Sequence, residues 1–332
     1  MWFEELTGFT EKSPQQVRTN ITVEGSTLKS LVNGKVFVCG ELETPSLAEL
    51  RERVRSRRSQ VGRISVREIV ANVQQLHTDD SNAGSLFQVA SQFNLLEMVS
   101  PSVTPEYGVG IYENDRTQGP ACAIAAGAGT IYRNYFAIVD GQTGQSASNQ
   151  IDCLADIGAA LGNAENRLWE MRNGYALATR SGLVEIGQRL RAAGEDELDQ
   201  LRQLLRIGIQ WNTQVTLNES RHLVSQAYCS ALPVAYSHHP ADLWAEFARL
   251  VLEAAYEATI CTAILNTIGN GSKRAFLTLL GGGAFGNQSN WIIGALRRAL
   301  NLYRDTDLEV AIVSYGSSNP YVQDLVRQTN NY

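Results

Sequence analysis

Phe276-Leu277-Thr278-Leu279-Leu280-Gly281-Gly282-Gly283-Ala284-Phe285-Gly286-Asn287 decides how this chain reads. An apolar run of buried-strand length enters a loop with four glycines in six positions. A segment of helical pattern, Ser289 to Tyr303, follows it, and then a second apolar run, Leu308 to Tyr315. Glycines let backbone come close to a ligand, and the free N–H groups and dipole of a helix start favour an anion such as a diphosphate. A turn rich in left-handed residues is the plainer account of the same glycines. Strand, loop, helix, strand is the unit of an α/β layered fold.

The rest of the chain sets limits. Its 332 residues give about two domains at ~150 residues each, or one interrupted domain. A hydrophobic share of 44% is enough for a packed core, and a net charge of -6 argues against a nucleic-acid backbone or an anionic membrane as partner. Five scattered cysteines without a CxxC pair give no zinc or disulfide framework. They read as reduced and structural, which fits an intracellular, cytoplasmic protein. The first residues lack the basic and apolar regions of a signal peptide. Leu250 to Leu265 carries Glu253 and Glu257 and reads as a buried amphipathic helix, not a membrane span. No metal and no cofactor is expected.

Along the chain, Arg18 to Leu31 and Lys35 to Cys39 flank Asn33-Gly34, a hairpin signal. Ser46 with Glu49 forms the pattern of a capping box. The helix it opens carries Arg51, Arg53, Arg55, Arg57 and Arg58, a solvated face or a site for an acidic partner. Ile64 to Val73 is a strand or short helix, and Ser85 to Met98 is a buried apolar run. Residues 117–136 are helical, with Pro120 near the first turn. Asp152 to His222 reads as a helical insertion, followed by a buried strand, Tyr228 to Tyr236, and a helix from about Pro240 to Thr267. Gly144-Gln145-Ser146-Ala147-Ser148 lacks the closing glycine of a nucleophile elbow. His238-His239 has no acid at ligand spacing.

Two ligand classes use a loop like 281–286. Gly281-x-Gly283-x-x-Gly286 fits the dinucleotide fingerprint, which then wants an acid at the end of the next strand. That strand ends Ile312-Val313-Ser314-Tyr315-Gly316 with no acid, so an NAD-linked oxidoreductase is the weaker reading. The alternative is a resemblance. Strand, GGGAFGN, helix and a strand ending in Tyr315 resemble the second phosphate loop and final strand of macrodomains. The resemblance implies that Gly282, Gly283, Ala284, Phe285, Gly286 and Asn287 wrap the diphosphate of ADP-ribose. Tyr315 and Asn319 would then flank its adenosine end.

Upstream, Ser85 to Asn94 resembles the macrodomain strand whose terminal Asn, here Asn94, holds the distal ribose. The common glycine-rich loop after that Asn is replaced by Pro105 to Pro120. This pattern resembles the divergent macrodomain-like effector hydrolases that remove ADP-ribose from modified ubiquitin, a branch that uses acids near the distal ribose. Glu106 and Asp115 are the catalytic candidates, with Glu113 in reserve. A carboxylate can stabilise the oxocarbenium character that develops at an anomeric carbon or activate water. Helix capping is the competing role for Asp115, and a solvated loop acid that for Glu106. Gln118 and Gly119 precede a helix start that could meet phosphate or ribose. Gly127 and Gly129 need either close packing or a ligand to justify them within a helix, and Thr130 stands beside them.

The expected fold is therefore α/β, a three-layer α/β/α macrodomain-like mixed sheet over residues 76–332. A β-plus-helix extension would occupy residues 1–75, and the helical insertion, at about 152–222, would lie beside the cleft. The expected function is an ADP-ribosyl hydrolase acting on a modified protein, with ubiquitin a candidate carrier. A non-catalytic ADP-ribose reader is the alternative. Neither nucleic acid nor membrane is an expected partner.

Overall fold

The structure, a computed structural model, describes residues 1–57, 61–269 and 271–330. Arg58, one of the arginines singled out above, lies outside them. The central sheet has seven strands: β1 (Glu41–Glu43), β2 (Ser65–Val70), β3 (Leu86–Ala90), β4 (Gly208–Gln214), β5 (Leu223–Cys229), β6 (Arg274–Leu277) and β7 (Glu309–Ser314). Their order across the sheet is β1-β4-β5-β3-β6-β7-β2. The five strands from β5 to β2 run parallel, while β4 is antiparallel to both β5 and β1. The central parallel strands β5, β3 and β6 are almost wholly buried, as strands covered on both faces must be, whereas β2 at the edge exposes Ser65, Arg67 and Val70.

The alternation of side chains along β3 defines the two layers. Phe87 stacks between His77 and Phe276, with ring centroids 3.8 Å and 4.6 Å away. Gln88 points the other way and donates to Thr259 Oγ1. The first face is covered by α1 (Val73–Thr78), α2 (Gln118–Ala125) and α3 (Gly127–Tyr135); the second by α4 (Ala241–Ile268), with α5 (Ser289–Leu302) packed on α4. The helix α6 (Pro320–Asn330) closes the β2 edge. A mixed sheet between two helical layers is the architecture that the sequence pattern predicts.

Two boundaries differ from the sequence reading. Strands β1 and β2 come from residues 1–75, so that segment is not merely an extension: it completes both edges of the sheet. The stretch 152–222 is not all helical. It contains the hairpin Trp169–Arg172 and Tyr175–Ala178, and it contributes β4. The period-3.6 signal of Gly194 to Arg206 is genuine over Glu195–Gln203, but β4 follows at once, with Gln210 and Thr213 buried among its apolar residues. A strand with buried polar residues has no clean alternation to read. The helices Arg180–Ala192 and Glu195–Gln203 pack on α4, away from the loop-bearing edge of the sheet.

The remaining N-terminal elements form a second core. Phe3, Leu6, Phe9, Val17, Ile21 and Leu28 pack with Met98, Tyr112, Ala123, Ile131 and Tyr135. The helices α2 and α3 are thus sandwiched between the sheet and an N-terminal cap. The capping box forms: Ser46 Oγ accepts from Glu49 N, and Glu49 accepts from Ser46 N.

The arginine run has an internal purpose at Arg51. Its guanidinium reaches Glu257 at 2.6 Å and Asp199 at 2.7 Å, and Arg298 reaches the same Glu257 at 2.6 Å. Glu257 is 2% exposed. Three helices on one face are therefore pinned by a buried carboxylate between two guanidiniums, which is costly to break from one side. All five cysteines are buried free thiols. Among the described residues, no helix is long and apolar enough to cross a membrane. Glu257→Ala, which leaves both guanidiniums with Asp199 as their remaining carboxylate, should lower unfolding stability by about 3 kcal/mol. Urea denaturation checks this, while Arg55→Ala, an exposed member of the same run, should fall within about 0.5 kcal/mol of wild type.

Candidate functional site

The C-terminal ends of the parallel strands all open on one edge of the sheet, where α/β folds place ligands. Two adjoining cavities lie there. The larger, about 1180 Å³, runs from Asn72 and Gln74 past Gly282, Gly283 and Ser289 to Tyr315, Asn319 and Tyr321. The smaller, about 200 Å³, is walled by Glu97, Gly119, Tyr175, Tyr236, Ala284 and Phe285. Asp115, Thr117, Gln118 and Gly283 line both.

The glycines of the loop divide by function. Gly281 and Gly286 have φ of +72° and +71°, a region L side chains rarely adopt. A Cβ on Gly281 would stand 2.5 Å from Ala231 Cβ, and one on Gly286 would stand 2.8 Å from Ala235 Cβ. Those two glycines are required by the turn itself. Gly283 is not: its φ is ordinary and a Cβ there would meet nothing within 4 Å. A side chain at 283 would simply project into the cavities.

The backbone of this loop offers donors. Gly286 N closes a turn on Gly283 O, and Asn287 N donates to Gly281 O. The N–H groups of Gly283, Ala284 and Phe285 make no hydrogen bond among the described residues. The helix α5 begins just beyond, with no side-chain cap on its N-cap Gln288. The uncapped fourteen-residue helix starts at the large cavity, Gly283 borders both cavities and Ala284 and Phe285 border the small one, so free amides run along their junction, a setting that suits an anion. Arg116 is the one cation among the residues lining either cavity. An anionic ligand there would lean on backbone amides more than on side-chain charge.

The other residues singled out in sequence separate into lining and supporting roles. Gln118 lies between the end of β3 and both cavities: its Oε1 accepts from Ala90 N and its Nε2 donates to Gln88 O. Asn287 sits behind the loop and ties it down, donating to Leu232 O at 2.8 Å. Phe285 rests its ring against Tyr175 and Tyr236. Tyr315 is 81% exposed at the mouth of the large cavity. Asn319 begins α6, its Oδ1 accepting from Tyr321 N, while Glu68 receives Asn319 N and the hydroxyls of Ser314 and Ser318.

Several expected site residues lie elsewhere. Asn94 is fully buried in a tight turn, accepting from Leu96 N and donating to Gln150 Oε1, and it lines neither cavity. Gly127 and Gly129 are small for packing reasons. A Cβ on Gly127 would stand 2.7 Å from the Trp2 ring, and one on Gly129 2.7 Å from Thr213 Oγ1. Thr130 is buried, donating to Ala123 O and accepting from Arg133. Glu106 is exposed on the surface, where it accepts from Ala147 N, outside both cavities.

Asp115 lines both cavities. It is half-buried, and one oxygen accepts from Thr117 N in a short turn before α2, so Thr117 rather than Asp115 is the N-cap. Glu113 lines the large cavity only.

Sequence reasoning missed two site residues. Glu97 sits in the small cavity and is 3% exposed. Its only signal was an acid placed inside the apolar run Leu95-Leu96-Glu97-Met98. Trp2 forms a wall of the large cavity from the far N-terminus, with its indole N–H buried and unpartnered among the described residues. Nothing local in the sequence marks it. Among the described residues, no group of three or more His, Cys, Asp or Glu is placed to hold a metal ion.

Gly286→Ala should lower stability by about 1–3 kcal/mol through its left-handed φ and the Ala235 contact, whereas Gly283→Val should leave Tm nearly unchanged. Calorimetric melting of both variants checks the division. No family model and no curated protein matches the chain. Among solved structures it is similar to the poly(ADP-ribose) glycohydrolase of Deinococcus radiodurans in complex with ADP-ribose, with 11% identity and a TM-score of 0.45. That match covers 88% of this chain and 94% of the other. It is also similar to the poly(ADP-ribose) glycohydrolase of Thermomonospora curvata bound to the inhibitor ADP-HPD. Here identity is 11%, the TM-score is 0.47, and 95% of each chain is covered.

Proposed function

We propose that this chain binds ADP-ribose across the two cavities and hydrolyses its bond to a modified protein. The observation that carries the reading is the continuity of the two cavities. The large cavity offers an uncapped helix start, the free loop amides begin at Gly283 where the two cavities meet and continue along the small one, and the small cavity holds the carboxyl groups of Asp115 and Glu97. A diphosphate suits the amides. The exposed ring of Tyr315 offers a stacking surface for adenine at the far mouth of the large cavity, and the distal ribose would then enter the small cavity beside Asp115 and Glu97.

Cleavage at the anomeric carbon develops oxocarbenium character, and a nearby carboxylate can stabilise it or take a proton from the attacking water. Asp115 is suited to the task because one of its oxygens is held by Thr117 N while the other is left to the cavity. The carrier protein belongs to the same proposal. Ubiquitin is the first carrier to try, on the strength of the sequence resemblance.

The test is titration calorimetry with ADP-ribose, followed by release assays on ADP-ribosylated proteins. Wild type should bind ADP-ribose and release it from protein. Gly283→Val should lose binding at least tenfold by filling the space in front of the loop amides. Asp115→Ala should retain binding and lose turnover by about 100-fold. No heat and no thermal shift at millimolar ADP-ribose overturns the reading. Binding without turnover on any carrier leaves a reader of ADP-ribose instead.

A further inference from the structure

We propose that Glu97 is the proton donor of the small cavity, a role that rests on the hydrolase reading above. In the step inferred, the bond from the ribosyl anomeric carbon to the protein's leaving atom breaks. The Glu97 proton moves to that atom, and a water oxygen bonds to the anomeric carbon. Asp115 takes the proton that the water gives up. Proton exchange with solvent then returns Glu97 to its acid form and Asp115 to its carboxylate, so one water is consumed for each ADP-ribose released.

The geometry singles out Glu97. It is 97% buried by its 3% exposure, it lines the small cavity, and its Oε1 has no hydrogen-bond partner among the described residues. An unpartnered buried carboxyl oxygen is expensive unless something completes it. A leaving atom or ribose hydroxyl in the cavity would do so. The fold makes room for this group at Gly119, where a Cβ would stand 2.2 Å from Glu97 Oε2. The first turn of α2 therefore passes directly over the carboxyl with no side chain between.

Its surroundings favour a retained proton. From the end of β3 and the turn after it, Ala90, Ser91, Gln92 and Met98 line the cavity with Glu97, and none of them is titratable; its own N–H donates to the Tyr112 hydroxyl. The thiol of Cys122 comes from α2, Arg133 from α3, and the phenols of Tyr175 and Tyr228 from the hairpin 169–178 and β5. Asp115 is the one other acid bearing on it. Burial holds the Glu97 carboxyl well above the usual carboxylate range; Arg133 draws it down and Asp115 pushes it further up. Arg133 makes no ion pair with it within 4.0 Å. An acid of this kind can still carry its proton where exposed acids have lost theirs.

The test compares wild type with Glu97→Gln and Asp115→Asn, using free ADP-ribose for affinity and mono-ADP-ribosylated proteins for turnover. Glu97→Gln should keep ADP-ribose affinity within about threefold while turnover falls by about 100-fold or more. Wild-type activity should decline on the alkaline side as Glu97 loses its proton, and that limb should vanish in Glu97→Gln and persist in Asp115→Asn. A readout independent of activity follows from linkage. The folded pKa is raised, so wild type loses stability as pH climbs from the unfolded value of 4.5 towards the folded one. The Tm advantage of Glu97→Gln should widen over that window and then level off.

Glu97→Gln turning over at the wild-type rate overturns the proposal while the hydrolase reading stands. So does a loss of turnover matched by an equal loss of affinity, or a Tm gap constant with pH. Failure of wild type to bind or release ADP-ribose overturns both.

Discussion

A guanidinium with no carboxylate of its own organises the site from behind. Arg133 is fully buried, its Nε donating to Leu95 O and its Nη2 to Thr130 Oγ1, and its cation lies 3.7 Å from the centre of the Tyr228 ring. It therefore holds α3, the turn after β3 and strand β5 together. The turn is an unusual one: Leu95 has φ of +66°, and Asn94 Oδ1 caps it through Leu96 N. Gln92 mimics a strand partner for Met98, and Gln145 Nε2 donates to both Asn94 O and Arg133 O. Left to itself, a residue such as leucine would avoid that conformation at a cost of order 1 kcal/mol. The buried polar network imposes it, and the imposed turn is what brings Glu97 under α2. Asn94, which looked in sequence like a ribose ligand, is the hinge-pin of that turn.

The charge of the molecule follows a related logic. Its buried ion pairs are concentrated on the α4 face, around Glu257, where they serve helix packing. The cavity edge is nearly free of cations. Attraction for an anion there would come from fixed dipoles, which need no rearrangement when a ligand arrives. The two faces thus differ in their electrostatics: paired charges hold helices together on one, and unpaired backbone amides border the cavities on the other.

Much of the framework was legible in sequence because it follows short-range rules. The 276–287 loop, the capping box at Ser46, the long helix after Pro240 and the last strand all announce themselves through local pattern and turn chemistry. Glycine content marked the loop, yet only spatial context separates Gly281 and Gly286, which the turn demands, from Gly283, which it does not. Gly127 and Gly129 illustrate the same limit: both have a reason, but the reason is a tryptophan more than a hundred residues away and a threonine on β4. Strand β4 escaped because its buried glutamine and threonine break the apolar run. Glu97 escaped because an acid among leucines reads as a surface position until the turn that buries it is known.

The large cavity takes one wall from Trp2 and another from Ser317 to Tyr321, residues at opposite ends of the described chain. Individual helices and hairpins can form from local contacts, yet this pocket is complete only when the segment at Trp2, the strand β7 and α6 have all docked. Its pieces meet over more than three hundred residues of sequence separation, the slowest kind of contact to establish. The shape of this cavity is thus a readout of the most distant contacts in the fold, lost before any local element melts.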